Sequence, residues 1–254
     1  MLMRFPGGKS RGPISRLIVE TIKNKYRGGT FGEVCFGGGG ITFQLLKQKC
    51  IERLIINDLD PNIMRLWRAV IKKSQYLKAS IKRFEPSVDK FCAAKERVQN
   101  NLGSALDMLT VNRLSHGGRG VKGGPQGGYN QKGKYKIDCR WNPDKLCKTV
   151  EECHNLLTSI PCKCYCQDFE SLLDFDLIYI DPPYYEVGNT LYLCGFTEED
   201  HLRLAENLKQ RNNWILNYNN HPFIKKLYQS YEQIVTSVAG NGGMKTNSEL
   251  LILS

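Results

Sequence analysis

A short apolar run, Gly32–Phe36, passes directly into four consecutive glycines, Gly37–Gly40. Ile41, Leu45 and Leu46 follow at helical spacing, and a second short apolar run, Leu54–Ile56, ends at Asn57-Asp58. Ile63, Leu66, Trp67, Val70 and Ile71 then mark one face of a further helix. Strand, glycine turn, helix, strand, acid and helix, in that order, are the opening of an α/β doubly wound sheet. Upstream, Ile14, Leu17, Ile18 and Ile22 predict a helix over 11–27.

The pattern changes between about 76 and 160. Residues 76–110 read as amphipathic helix. Residues 115–136, SHGGRGVKGGPQGGYNQKGKYK, hold eight glycines and five Lys/Arg and show no apolar period. The α/β alternation then resumes: LIYI at 177–180 as a buried strand, a helix over 198–210, WILNY at 214–218 and ELLIL at 249–253 as strands. The expectation is a discontinuous α/β domain, 1–75 and 160–254, interrupted by an inserted, largely helical basic module at 76–159.

The charge is large and uneven. The 254 residues carry a formal charge of +11. Residues 1–30 hold seven Lys/Arg against one Glu, and residues 110–150 hold nine against two Asp. Residues 151–200 invert this, with eleven acids against Lys163. Two basic blocks flanking an acidic one suit a site that holds a polyanion beside a polar reaction centre, which points to nucleic acid. With 41% hydrophobic residues the chain has the composition of a globular protein, not of a disordered one. No run of 18 apolar residues suggests a spanning helix, and MLMRFPGGKS turns polar too early for a signal peptide, so a membrane or secreted location is not expected.

Three short constellations carry the chemistry. Glu33 and the glycines Gly37, Gly38 and Gly39 form a strand-end turn at which the backbone can approach a ligand closely. Asp58, twenty residues beyond Gly38, stands where a carboxylate can accept hydrogen bonds from ribose hydroxyls. Spacing alone leaves a dinucleotide open, although no glycine completes a G-x-G-x-x-G. The second constellation is Asp181-Pro182-Pro183-Tyr184. Two prolines end the LIYI strand and fix the chain, so that a carboxylate and a proline carbonyl become fixed acceptors. An exocyclic amine carries two N–H donors that match them, and Tyr184 adds a flat face for the attached base. The third is Phe5-Pro6-Gly7-Gly8-Lys9, a glycine loop with a cation able to reach across a small ligand.

Together FPGGK, EVCFGGGG, IINDLDPN and IYIDPPY, with GFTEEDH at 195–201 and TNSELLI at 246–252, resemble the Dam-type (D12 class) DNA adenine-N6 methyltransferases in the alpha-group order of motifs. The resemblance implies a Rossmann-like methyltransferase fold and S-adenosylmethionine (AdoMet) as donor. It implies that AdoMet is contacted by Phe5, Lys9, Glu33, Gly37, Gly38, Gly39, Asp58 and Asp181, and more loosely by Asp168 and Phe169. It makes Asp181, Pro182, Pro183 and Tyr184 the catalytic tetrapeptide, acting on an adenine flipped out of duplex DNA. Phe5 stands where a tryptophan is common in the Dam N-terminal motif, which keeps an aromatic ring at the position.

On this reading double-stranded DNA is the partner, a cognate restriction endonuclease is a further one that the family allows, and the location is cytoplasmic. Arg113, Arg119, Lys122, Lys132, Lys134, Lys136 and Arg140 are the candidates for DNA contact. Of these, Arg119 and Arg140 are the candidates for reading guanine. Adenine in RNA, cytosine N4 in DNA, and a catalytically silent DNA-binding regulator of the same fold are the competing functions. The ten cysteines include the alternating Cys162, Cys164 and Cys166, which are read as buried structural thiols; the spacing is not that of a zinc knuckle, and no metal is expected. His154, His201 and His221 show no ligand spacing.

Overall fold

The computed structural model describes residues 1–172, 175–191, 193–238 and 247–254; Thr246 of the TNSELLI stretch lies outside them. Its strands are β1 (Thr30–Val34), β2 (Arg53–Asn57), β3 (Cys162–Tyr165), β4 (Leu177–Ile180), β5 (Trp214–Asn219), β6 (Glu232–Val238) and β7 (Asn247–Leu253). They form one sheet in the order β3-β2-β1-β4-β5-β7-β6. The pairs from β3 to β5 are parallel, and β7 runs antiparallel between β5 and β6. This is the Rossmann-like sheet expected, with its reversal of strand order between β1 and β4.

The helices are α1 (Pro13–Lys25), α2 (Gly40–Lys47), α3 (Pro61–Lys72), α4 (Ser74–Arg83), α5 (Val88–Gln99), α6 (Ala105–Leu114), α7 (Pro143–Thr158), α8 (Gly188–Leu191), α9 (Glu198–Lys209) and α10 (Pro222–Leu227). Local chemistry sets several of their starts. The Asp60 carboxylate accepts from Asn62 N–H at 2.9 Å, with Pro61 following it, which fixes the start of α3. Ser104 with Asp107, and Thr197 with Asp200, form capping boxes on α6 and α9. No helix among the described residues is long and apolar enough to cross a membrane.

Both faces of the sheet are covered, which is why β4 is apolar at every position. Leu177 and Tyr179 point into one core with Ile18, Ile56 and Trp67, whereas Ile178 and Ile180 point into the other with Leu204, Trp214 and Leu216. Between β2 and β3 the chain builds α3–α7. Leu77, Ile81, Phe91, Val98, Leu109, Val150 and Leu157 from this stretch join the same core as Ile56 and Trp67. The helical segment is therefore packed as part of the sheet's own layer.

The glycine-rich stretch 115–136 is tied down by a Ser115–Pro125 bridge and by short 3-10 turns at His116–Gly118 and Gly120–Lys122; a third turn follows at Ile137–Arg140. Val121 within the stretch and Ile137 just after it are the apolar anchors. The alternating thiols are not fully buried as expected. Cys162 and Cys164 are only partly buried because β3 is the edge strand, and Cys166, just past its end, is partly buried as well; Cys147 and Cys153 on α7 are the buried pair.

Candidate active site

Strand register brings the motif residues together. Val34 pairs with Asn57 of β2 and with Ile180 of β4. The next residues, Cys35, Asp58 and Asp181, therefore stand level at the carboxyl ends of three adjoining strands. That is the switch point at which open α/β sheets bind ligands.

The glycine turn is built for close approach. Cys35, Gly37 and Gly39 all have positive φ, at 65°, 48° and 65°. A Cβ on Gly39 would lie 2.4 Å from the Phe36 ring, and one on Gly38 would lie 3.0 Å from Met1 and 3.4 Å from the Phe5 ring. Below the turn, Trp67 packs on Phe36 and Phe43, and its Nε1–H donates to the Gly37 carbonyl at 2.8 Å. Asp58 Oδ2 accepts from Gly37 N–H at 2.8 Å and Oδ1 accepts from Asp60 N–H at 3.0 Å. Removal from water pushes the Asp58 carboxyl up to about 7, against these two donors. Glu33, 3% exposed, accepts from both the backbone N–H and the hydroxyl of Thr42 at the start of α2. Burial pushes its carboxyl up to about 8.

At the end of β4 lies a charged network that includes residues the motifs did not single out. Lys9, 6% exposed, donates to the Tyr184 hydroxyl at 2.7 Å and to the Gly7 carbonyl at 2.8 Å. Its Nζ is 3.4 Å from Asp181 Oδ2 and 3.3 Å from Glu249 Oε2. The Lys9 carbonyl is itself held by Ser15 Oγ and Gln44 Nε2, each at 3.1 Å, so the direction of its side chain is set by α1 and α2. Tyr184 Oη donates to Glu249 Oε2 at 2.9 Å. Asn217 Nδ2 lies 2.5 Å from Tyr184 Oη, 2.9 Å from Glu249 Oε2 and 3.2 Å from Asp181 Oδ1. Burial raises the Asp181 carboxyl; Lys9 pulls it back down, while the Glu249 charge raises it further.

A cavity of about 640 Å³ opens over these groups, within the range of roughly 300–1,000 Å³ usual for small-molecule sites. Phe5, the glycine turn, Asp58 and the Asp181–Tyr184 corner line it, together with Met108, Asn112, Arg119, Val121 and Phe196.

Beyond geometry, residues 5–239 match the family model described as D12 class N6 adenine-specific DNA methyltransferase. The chain belongs to this family. It is an enzyme that methylates adenine in DNA. The curated relative "Type II methyltransferase M1.LlaDCHI" of Lactococcus lactis subsp. cremoris is 23% identical over 263 residues, covering 96% of this chain and 90% of the relative. Among solved structures, precorrin 8w decarboxylase of Methanobacterium thermoautotrophicum aligns with a TM-score of 0.42 at 9% identity, covering 100% of this chain and 97% of that one. Precorrin-6y C5,15-methyltransferase of Geobacter metallireducens GS-15 aligns with a TM-score of 0.38 at 8% identity, covering 98% and 91%.

The methyltransferase brings Phe5, Lys9, Glu33, Gly37–Gly39, Asp58 and Asp181–Tyr184 around one cavity. Asp168 and Phe169 do not line it. Phe169 packs at 5.6 Å on Phe196, which does, while Asp168 caps a 3-10 turn and pairs with Arg203 at 3.2 Å. Of the basic residues, Arg119 lines the cavity, Arg113 is half-buried, and Lys122, Lys132, Lys134, Lys136 and Arg140 are exposed. Sequence reasoning missed the roles of Asn217 and Glu249. Asn217 interrupts the apolar run of WILNY, and Glu249 directly precedes the apolar run of TNSELLI.

Proposed function

We propose that this enzyme binds AdoMet in the cavity over the glycine turn and methylates the N6 of an adenine turned out of duplex DNA. The observation that carries the reading is the level placement of Asp58 and Asp181 on either side of Cys35, beneath one cavity. The residues present fit the donor. Glycines that a Cβ would block give a flush wall, and Asp58 offers a carboxylate for ribose hydroxyls. Phe5 gives an apolar face against the turn. AdoMet, when bound, supplies an electrophilic methyl group on a sulfonium.

The chain's own groups do the rest. Asp181 and the Pro182 carbonyl accept the two N6–H groups, which leaves the nitrogen lone pair free to attack. The ring of Tyr184 holds the base, with its hydroxyl anchored by Lys9, Asn217 and Glu249. Burial raises the Asp181 carboxyl, and Lys9 opposes that rise and so favours the anion. As a fixed anion Asp181 then stabilises the positive charge that grows on N6, and holding the reactants in place supplies much of the acceleration. Phe5, Lys9, Glu33 and the glycines serve as supports of the donor pocket, with Phe169 backing it through Phe196 and Asp168 pairing with the Arg203 that lies over the Phe169 ring.

Residues 76–159 serve as the DNA-facing segment, and the exposed lysines of 122–136 meet the phosphate backbone. The Type II designation of the Lactococcus relative favours a partner endonuclease that shares the recognition sequence, and DNA as substrate favours a cytoplasmic location. The test is to incubate the protein with methyl-labelled AdoMet and either duplex DNA or RNA, and to digest each to nucleosides. Label in N6-methyl-2′-deoxyadenosine supports the reading. Label in N4-methylcytosine, label only on RNA, or no AdoMet binding by calorimetry would each contradict it.

A further inference from the structure

Three arginines converge beside the cavity. Asn112, fully buried on α6, uses both ends of its amide on one residue: Oδ1 accepts from Arg4 N–H and Nδ2 donates to the Arg4 carbonyl, each at 2.7 Å. Its neighbour Arg113 reaches back to the Met1 carbonyl at 3.1 Å. The 3-10 turn Ile137–Arg140 packs against the same helix and brings in the exposed Arg140. Among the described residues none of these three guanidinium groups has a carboxylate partner. Two of their buried nitrogens, Arg4 Nη1 and Arg113 Nε, meet no acceptor among the described residues.

The charges oppose one another. Burial, then Arg4 and Arg140, push the Arg113 guanidinium down to about 10, and burial with Arg140 lowers Arg4. Crowding three cations without an anion is unfavourable unless a ligand supplies the counter-charge. A guanine edge offers only dipoles, whereas a phosphodiester carries a full charge and oxygens suited to several guanidinium donors. The place is also specific. Asn112 lines the cavity, and Arg4 directly precedes Phe5 on its wall.

We propose that Arg4, Arg113 and Arg140 form one receptor for a DNA backbone phosphate flanking the target nucleotide. This rests on the reading of the cavity as the adenine site. It adds Arg4 to the DNA contacts and assigns Arg140 to phosphate, not to guanine. Filling the receptor holds the strand at the cavity mouth while Asp181 takes the base.

Two measurements test it, and the first needs no methylation. Inorganic phosphate is titrated against chloride at matched ionic strength, and thermal unfolding is followed. The wild-type Tm should rise by about 2 °C or more, and Arg140→Gln, at an exposed position, should lose at least half of that rise. Equal rises in both proteins, or none in either, would overturn the receptor. In the second, duplexes containing the methylated adenine carry one neutral methylphosphonate, scanned along each strand. Wild-type protein should lose about tenfold in affinity at one position within two nucleotides of the adenine, and Arg140→Gln should lose nothing further there. Arg140→Gln is also expected to weaken binding to all sequences alike and to lower the salt slope by about one. Full additivity at every position, or a loss confined to one base sequence, would contradict the proposal. If no duplex is methylated but the phosphate result holds, the adenine reading fails and the receptor stands. If methylation proceeds and Arg140→Gln matches wild type throughout, the reverse is true.

Discussion

Tyr184 and Glu249 meet through a hydrogen bond of 2.9 Å that joins the corner after β4 to β7. Glu249 also stands 3.3 Å from Lys9, which in turn stands 3.4 Å from Asp181. The Asp-Pro-Pro-Tyr corner is thus held from both ends of the chain. One cation sits between two carboxylates, and the tyrosine hydroxyl is fixed by three neighbours.

Glu249→Gln keeps the shape of the side chain and removes one of the two charges facing Lys9. It also removes a charge that raises Asp181. Asp181 should stay ionised to lower pH, while Tyr184 loses its charged acceptor. We expect kcat to fall about ten- to a hundredfold with the Kd for AdoMet changed less than threefold, as single-turnover rates and calorimetry would show. A loss confined to AdoMet binding would place Glu249 in the donor pocket instead.

Lys9→Met removes the group that lowers the Asp181 carboxyl. With burial and Glu249 still raising it, Asp181 should hold its proton to higher pH. Since the anion is the active form, the acid limb of the rate–pH profile should move upward by about one unit or more. Profiles of kcat for both proteins between pH 5 and 9 would check this, and a limb that stays in place or moves down would refute the role given to Lys9.

Glu33 has a folded-state value of about 8, well above its ordinary 4.5, because it is buried. The folded protein therefore holds a proton there that the unfolded chain has released. That contribution to stability is complete below about 4.5 and is lost as pH rises through 8; Asp58, at about 7, acts in the same direction. Tm should decline from pH 6 to pH 9. Glu33→Gln, which can still accept from Thr42, should flatten that decline and exceed wild type at pH 9. A steeper decline in the variant would mean that Glu33 is ionised and stabilising.

Much of this was legible in the residues. The LIYI run could be read because a strand covered on both faces needs apolar side chains at every position. Asp58 and Asp181 could be read because each ends such a run. β6 was not foreseen: Glu232–Val238 is an edge strand with only weak alternation. α7 was passed over, although Asn142-Pro143 caps it and Leu146, Val150 and Leu157 mark its buried face. Lys9 was expected against the donor and does line the cavity; its further contact with Asp181 was not legible, because it depends on Ser15 and Gln44 holding its backbone. Glu249 and Asn217 could not have been joined from sequence. Their meeting depends on β7 entering antiparallel beside β5, which pairs Asn219 with Glu249. The arginine cluster was hidden for a similar reason: Arg4 and Arg113 are far apart in sequence, and only the clasp of Asn112 on Arg4, 108 positions away, brings the N-terminal loop to α6.

Gly39→Ala tests the turn itself. Its φ of 65° is strained for any L side chain, and the new methyl would lie 2.4 Å from the Phe36 ring. We expect a loss of about 1–3 kcal/mol in stability, with AdoMet affinity reduced at least tenfold, by chemical denaturation and calorimetry. Unchanged affinity would mean that the donor does not rest on this turn.

The most direct measurement is Asp181→Ala, assayed for donor binding and for methyl transfer in the same preparation. AdoMet should bind within a few fold of wild type while label in N6-methyl-2′-deoxyadenosine falls by a thousandfold or more. Transfer at near wild-type rate, with the aspartate gone, would contradict it.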